Sequence, residues 1–153
     1  MTSTQDISTE THPRLVSDAD HLQLTRLVTE ITWRIDHDEA ARVHELFADD
    51  GVLEVGESRL RGHEEIGDWG RTLAEEHAYP GIRHVCTNMR FVRDGEDHAV
   101  GSSLLTAYLD QGQAGAATLP FAVGEDHDRF VRTEAGWRFA SRRWVPLFER
   151  AAR

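Results

Sequence analysis

The sequence predicts an α+β domain, with three N-terminal helices packed in the concave face of a strongly curved, mixed or antiparallel sheet. Before residue 75, apolar residues recur with the period of a helix. From Ile82 onward the chain is a series of β-favouring runs separated by turn-forming clusters such as Asp94-Gly95-Glu96-Asp97 and Thr133-Glu134-Ala135-Gly136. A glycine inside one long run, Gly124, marks a bulge or bend, which a sheet needs in order to curve around helices.

Taken in order, residues 1–16 are Thr/Ser-rich and contain Pro13, and they read as a flexible arm. A helix starts at Ser17 or Asp18, where acidic residues suit the positive end of the helix dipole. Its stripe is Leu24, Leu27, Val28, Ile31 and Ile35. Asp36-His37-Asp38 ends or bends it. A second, shorter helix is expected from about Asp38 to Phe47, stopped by Asp49-Asp50-Gly51. Val52–Val55 and Arg59–Leu60 form a hairpin turning at Gly56-Glu57. The third helix opens at Gly62, with Glu64 and Glu65 in its first turn and Ile66, Trp69 and Leu73 on its apolar face.

Strands are then expected over Ile82–Val92, about Ala99–Leu109, about Thr118–Arg132 and Trp137 to about Val145, with a Gly/Ala/Gln loop at 111–117. The domain proper spans 17–148 and a tail 149–153. A long curved sheet cupped around helices encloses one deep apolar pocket, and so implies a hydrophobic small-molecule ligand. Its other, convex face is half-apolar, a surface that a homodimer would cover.

Composition bounds the function. The 153 residues suffice for one domain with a sizeable core. A formal net charge of −10 argues against nucleic-acid or anionic-membrane partners. One cysteine, Cys86, excludes an internal disulfide framework and fits a reducing compartment. With no signal-peptide pattern at the start and no run long enough to span a bilayer, the expected location is the cytoplasm.

The chemistry concentrates on the strand Ile82–Val92. Strict alternation puts His84, Cys86, Asn88 and Arg90 on one face and Val85, Thr87, Met89 and Phe91 on the other. An imidazole on a face that lines a pocket needs a partner. Elsewhere, Asp128 with Arg142 or Arg143 reads as a structural ion pair between strands. Cys86 lacks an activating neighbour and reads as a small hydrophobe. The histidines at 37 and 44 are seven apart across a helix break, and neither H-x-x-x-H nor C-x-x-C occurs, so no metal is expected. Walker, dinucleotide and G-x-S-x-G signatures are absent, and no cofactor is expected.

Four local words, in this order and spacing, resemble the SnoaL-like branch of the nuclear-transport-factor-2-like superfamily. They are L-F-A-D-D-G-V-L at 46–53, R-G-H-E-E-I at 61–66, R-H-V-C-T-N at 83–88 and G-E-D-H-D-R-F-V-R-T-E-A-G-W-R-F at 124–139. The resemblance covers about residues 18 to 146. It implies a cone-shaped α+β barrel that hosts dehydratases, polyketide cyclases and ketosteroid isomerases as well as non-catalytic modules. By the same resemblance, His84 is a general base oriented by Asp36, with Asp38 the near alternative. A tyrosine expected beside this pair in the family falls on Ile31, and the tyrosine of the family's G-x-Y-x-D word is Asp126 here. Tyr108 is the substitute for the acid half of the reaction, and Tyr108 or Asn88 is the expected donor to the developing oxyanion. Asn88, Trp33, Trp69, Arg142 and Trp144 are the expected ligand-binding side chains, with Arg142 or Trp144 guarding the mouth.

The expected function is a cofactor-independent dehydratase, cyclase or isomerase for a hydrophobic, polyketide- or steroid-like substrate. The alternative is a ligand-binding or subunit-assembly module, because R-H-V-C-T-N also resembles the small subunit of ring-hydroxylating dioxygenases. The separation of the Asp36 carboxyl from the His84 ring discriminates the two.

Overall fold

The structure is a computed structural model that describes residues 14–110 and 119–149. The expected loop at 111–117, most of the N-terminal arm and most of the C-terminal tail lie outside those residues. Ser17 caps helix α1 (Asp18–Asp36): its hydroxyl oxygen accepts the Asp20 N–H at 3.2 Å. Leu24, Leu27, Val28 and Ile31 are buried as the stripe predicts. Asp20 ties this end of α1 to the sheet by accepting Trp137 Nε1–H at 2.9 Å and Arg132 Nη2–H at 2.7 Å.

The second helix is not α-helical. A 3-10 helix occupies Ala40–Leu46, and strand β1 (Phe47–Val55) follows without a gap, five residues earlier than the hairpin was expected to begin. Two constraints explain this. Asp38 sits at φ 61°, which breaks the helical path. Phe47, expected on a helix face, instead pairs with Phe139 and is buried in the sheet layer. Helix α2 (Gly62–Glu75) follows β2 (Ser58–Arg61). Gly70 lets its backbone close against the carbonyl of Ala40, where a Cβ would collide.

Strands β3 (Arg83–Arg93), β4 (His98–Tyr108), β5 (Ala122–Thr133) and β6 (Gly136–Glu149) complete a six-stranded sheet in the order β2-β1-β6-β5-β4-β3. All neighbours are antiparallel except β1 and β6, so the sheet is mixed. It is a curved open sheet with edges at β2 and β3, and does not close into a barrel. Residues 14–16, expected within the flexible arm, pair with the far end of β3: Arg93 N–H donates to the Arg14 carbonyl at 2.9 Å, and Leu15 bridges Val92. At the narrow end of the cone, Phe47, Phe139, Phe130 and Phe91 form a chain of rings with centroids 5.1 to 5.6 Å apart. No helix among the described residues is long and apolar enough to cross a membrane.

Two irregularities aim side chains. The register of β5 slips between Val123 and Gly124, where the sequence predicts a bulge. Trp144 lies over Gly124: a Cβ there would collide with Trp144 Cη2 and stand 2.5 Å from the Val145 carbonyl. The register of β3 against β4 slips between Thr87 and Arg90, and Asn88 adopts φ 52°. Strict alternation therefore fails in the middle of β3. His84 and Cys86 turn toward the concave side, and beyond the bulge so do Met89 and Phe91, while Asn88 is exposed.

Candidate active site

Between α1, α2 and the concave side of the sheet lies a cavity of about 530 Å³. Its wall is largely apolar, with Ile31 and Ile35 from α1, Trp69 and Leu73 from α2, and Leu53, Val55, Leu105 and Trp144 from the sheet. Thr32, Ser58, Tyr79, Asp126 and Arg142 supply hydroxyl, carboxyl and guanidinium groups among the residues that line it. A smaller cleft of about 300 Å³ opens at the rim beside Asp36, Asp38, His77 and Arg83. Ile35, Leu73, Tyr79 and Ile82 line both spaces, so the two adjoin.

Asp36 lines the rim cleft, whereas His84 lines neither space and lies next in sequence to Ile82 and Arg83, which do. Asp36 is the last residue of α1, and one of its carboxylate oxygens, Oδ1, lies 2.6 Å from His84 Nδ1. The other, Oδ2, accepts the backbone N–H of His84 at 2.8 Å. The two side chains are 10% and 8% exposed. A carboxylate facing Nδ1 requires the proton there, which leaves Nε2 with its lone pair. That atom has no hydrogen-bond partner among the described residues. Asp38, the alternative partner, points instead into the rim cleft.

The remaining expected site residues divide. Trp69, Arg142 and Trp144 line the cavity. Trp33 is 47% exposed and stacks on His37 with centroids 4.4 Å apart, outside the cup. Asn88 is exposed at the bulge, held by a backbone demand for left-handed φ rather than by a ligand. Tyr108 pairs with exposed Arg83, and it alternates with Ala107 and Leu105, which line the cavity, so its side chain leaves on the outer face. Tyr108 lines neither the cavity nor the rim cleft. Cys86 lies inside, 3.7 Å from Thr32 Oγ1, and burial pushes its thiol up, so it is a neutral thiol.

The floor of the cup holds a charged group of which the sequence reading singled out only Arg142 as functional, and Arg142, 4% exposed, is buried rather than at the mouth. Arg142 grips Asp128 through both arms of its guanidinium, Nε–Oδ1 and Nη2–Oδ2 each 2.8 Å, over the Phe139 ring at 4.7 Å. Asp126 Oδ2 is 3.4 Å from Arg142 Nη2 but accepts no hydrogen bond. Burial would lower Arg142, yet the two carboxylates raise it on balance and it stays charged. Burial also pushes the Asp126 carboxyl up to about 6; Arg142 opposes this and Asp128 adds to it. The signal was present: in Glu-Asp-His-Asp-Arg, residues 126 and 128 share a strand face. Among the described residues, no group of three or more His, Cys, Asp or Glu is placed to hold a metal ion.

A curved six-stranded sheet wrapped around helices, with a mostly apolar cup on its concave side, defines a cystatin-like or nuclear-transport-factor-2-like cone fold. A sequence profile of the SnoaL-like domain matches residues 18–143, and the chain belongs to that family. No curated protein matches it in sequence. Among solved structures it is similar to a protein of unknown function from Mycobacterium tuberculosis, with a TM-score of 0.72 and 23% identity over 85% of this chain and 77% of that one. It is also similar to a scytalone-dehydratase-like protein from Novosphingobium aromaticivorans, with a TM-score of 0.71 and 14% identity over 90% and 94% of the two chains. A third is a hexachlorocyclohexane dehydrochlorinase of LinA type 3 from Novosphingobium barchaimii, with a TM-score of 0.70 and 18% identity over 88% and 93%. At these identities the likeness establishes the fold.

Proposed function

We propose that the protein is a cofactor-independent enzyme that removes a proton next to a carbonyl of a hydrophobic, polyketide- or steroid-like molecule, with loss of water, ring closure or double-bond migration to follow. The observation that carries this reading is the two-point hold of Asp36 on His84, which among the described residues leaves Nε2 without a partner, close to the rim cleft that adjoins a largely apolar cavity. Asp36 fixes the tautomer and offsets the imidazolium charge that forms when Nε2 takes a proton. The cavity volume lies within the range of small-molecule sites and suits a compact ring system. The names of two of the structural neighbours, a dehydratase and a dehydrochlorinase, agree with elimination as the outcome. The enzyme acts as a homodimer through the outward face of the sheet, where Val85 and Leu147 are 46% and 58% exposed.

Proton abstraction can be followed without knowing the natural product. A panel of neutral cyclic ketones and hydroxyketones is incubated with the protein in deuterium oxide, and exchange beside the carbonyl is read by NMR. Exchange catalysed by the natural sequence and lost in His84→Ala is the expected outcome. Equal exchange by a folded His84→Ala protein defeats the reading.

A further inference from the structure

The proposed base leaves the other half of the reaction open, because Tyr108 faces away from the cup. We infer that Asp126 fills that place: as a neutral carboxylic acid on the cavity floor, it donates its proton to the oxygen of an uncharged substrate. The inference rests on the reading of His84 as base and deepens it by naming the acid and the charge of the ligand.

The first argument is a count of charges out of water. Asp126, Asp128 and Arg142 are 3%, 3% and 4% exposed, two carboxylates against one guanidinium. Asp128 takes both hydrogen bonds of the Arg142 fork. Asp126 is left with one approach at 3.4 Å and an oxygen that accepts nothing. A buried carboxylate without hydrogen bonds is costly, and keeping the proton removes that cost. The upward displacement of its pKa, to about 6, agrees.

The second argument is the direction in which that proton can be used. Asp126 lines the cavity, whose other polar walls are engaged or at the margin, Tyr79 being 46% exposed where the cavity meets the rim cleft. The Thr32 hydroxyl donates to the Thr29 carbonyl at 3.0 Å, Arg142 is held by Asp128, and Ser58 is exposed. Ser103, opposite Asp126 on β4, is buried and its hydroxyl is likewise without a partner, so among the described residues no group holds the acid proton. The titratable and charged groups that act on Asp126 are Arg142 on β6, Asp128 on its own strand, and His84 and Cys86 on β3, with His127 acting from the outer face. The α1 and α2 walls contribute Ile31, Thr32, Ile35, Trp69 and Leu73, none of them charged.

In a dehydration the step balances within the pair. The carbon-bound proton goes to His84 Nε2 and its electron pair forms the new double bond. The C–O bond breaks, and the hydroxyl leaves as water with the Asp126 proton. The imidazolium and carboxylate that remain are reset when His84 returns a proton to Asp126 through water. With Asp126 protonated the floor is a balanced Arg142–Asp128 pair, which favours a neutral ligand and disfavours a carboxylate, whose charge would find no free cation there.

The test uses 2-acetylnaphthalene as neutral oxygen-bearing probe, naphthalene as its apolar control and 2-naphthoate as its anion, with binding read by quenching of the wall tryptophans. Between about pH 5 and pH 8, affinity for the ketone should fall about tenfold, the size of one lost hydrogen bond, while naphthalene affinity stays level. Asp126→Asn keeps an N–H donor and should bind the ketone with no such pH dependence, and Asp126→Leu should bind it weakly throughout. Infrared spectra of the ligand-free protein give a readout that needs no probe: a carboxylic-acid band that titrates near pH 6 and is missing in Asp126→Asn. Level ketone affinity in the natural protein, pH dependence that survives in Asp126→Asn, preference for 2-naphthoate, or no titrating band overturns the inference. His84→Ala separates the two readings: pH-dependent ketone binding that persists there, with deuterium exchange also unchanged, sinks the base and spares the acid.

Discussion

Asp36 holds His84 at two points, ring and backbone, with one carboxylate oxygen 2.6 Å from Nδ1 and the other 2.8 Å from the main-chain nitrogen. The pair thus fixes both the orientation of the imidazole and the position of β3 against the end of α1. The second contact matters for mutagenesis, because it survives the loss of the ring. His84→Ala should therefore fold, with Asp36 still anchored, and lose turnover by a factor of at least about a hundred. Activity assays beside a thermal melt check this.

Asp36→Asn cannot preserve both contacts. An amide offers one acceptor, so either the backbone hydrogen bond is lost or an N–H group faces Nδ1 and drives the proton to Nε2. The rate should drop by roughly two to four orders of magnitude with a modest loss of stability. A ¹⁵N NMR spectrum of the histidines reports the tautomer directly.

Asp126 makes stability depend on pH. Its carboxyl titrates at about 6 in the folded chain and at the ordinary, lower value when unfolded. The folded state therefore holds more protons between those values, and stability falls as pH rises from about 4 through 6, then levels off. Asp126→Asn should flatten that part of the profile, and above pH 7 it should gain up to about 3 kcal/mol relative to its difference from the natural protein at pH 4. Urea titrations at several pH values measure it, and an unchanged slope in the variant contradicts the raised carboxyl.

Arg142→Ala removes the only cation from the floor group and leaves two buried carboxylates facing each other. The expected loss is about 3–5 kcal/mol, far more than for an exposed arginine such as Arg143. Denaturation midpoints of the two variants make the comparison.

Asn88 separates a ligand contact from a backbone role. Asn88→Gly should leave probe affinity unchanged and stability within a few tenths of a kcal/mol, while Asn88→Val should cost about 1 kcal/mol or more, because a β-branched residue resists φ 52°. A fall in ketone affinity in the glycine variant would return Asn88 to the site.

Local chemistry made much of this molecule legible in the sequence. The stripe from Leu24 to Ile35, the acidic start of α1, the bulge glycine at 124 and the run of late strands each depend on neighbours a few residues away, and periodicity reports neighbours well. The pairing of His84 with Asp36 came through resemblance, and the fold then set the two at hydrogen-bond distance. Tertiary structure alone decided the rest. Phe91 belongs in the ring chain at the narrow end and His84 belongs beside α1, yet the offset from residue 84 to residue 91 is odd on a strand of period two. Both can face inward only if the strand gains one residue between them, and Asn88 is where the chain tolerates it. That choice is imposed by partners remote in the chain, Phe130 for Phe91 and Asp36 for His84, so alternation read along β3 could not find it. The same holds for the floor of the cup. Asp126 and Asp128 read as an ordinary acidic face until β5 is laid beside β4 and β6, and only then does one carboxylate find Arg142 while the other is left with its proton.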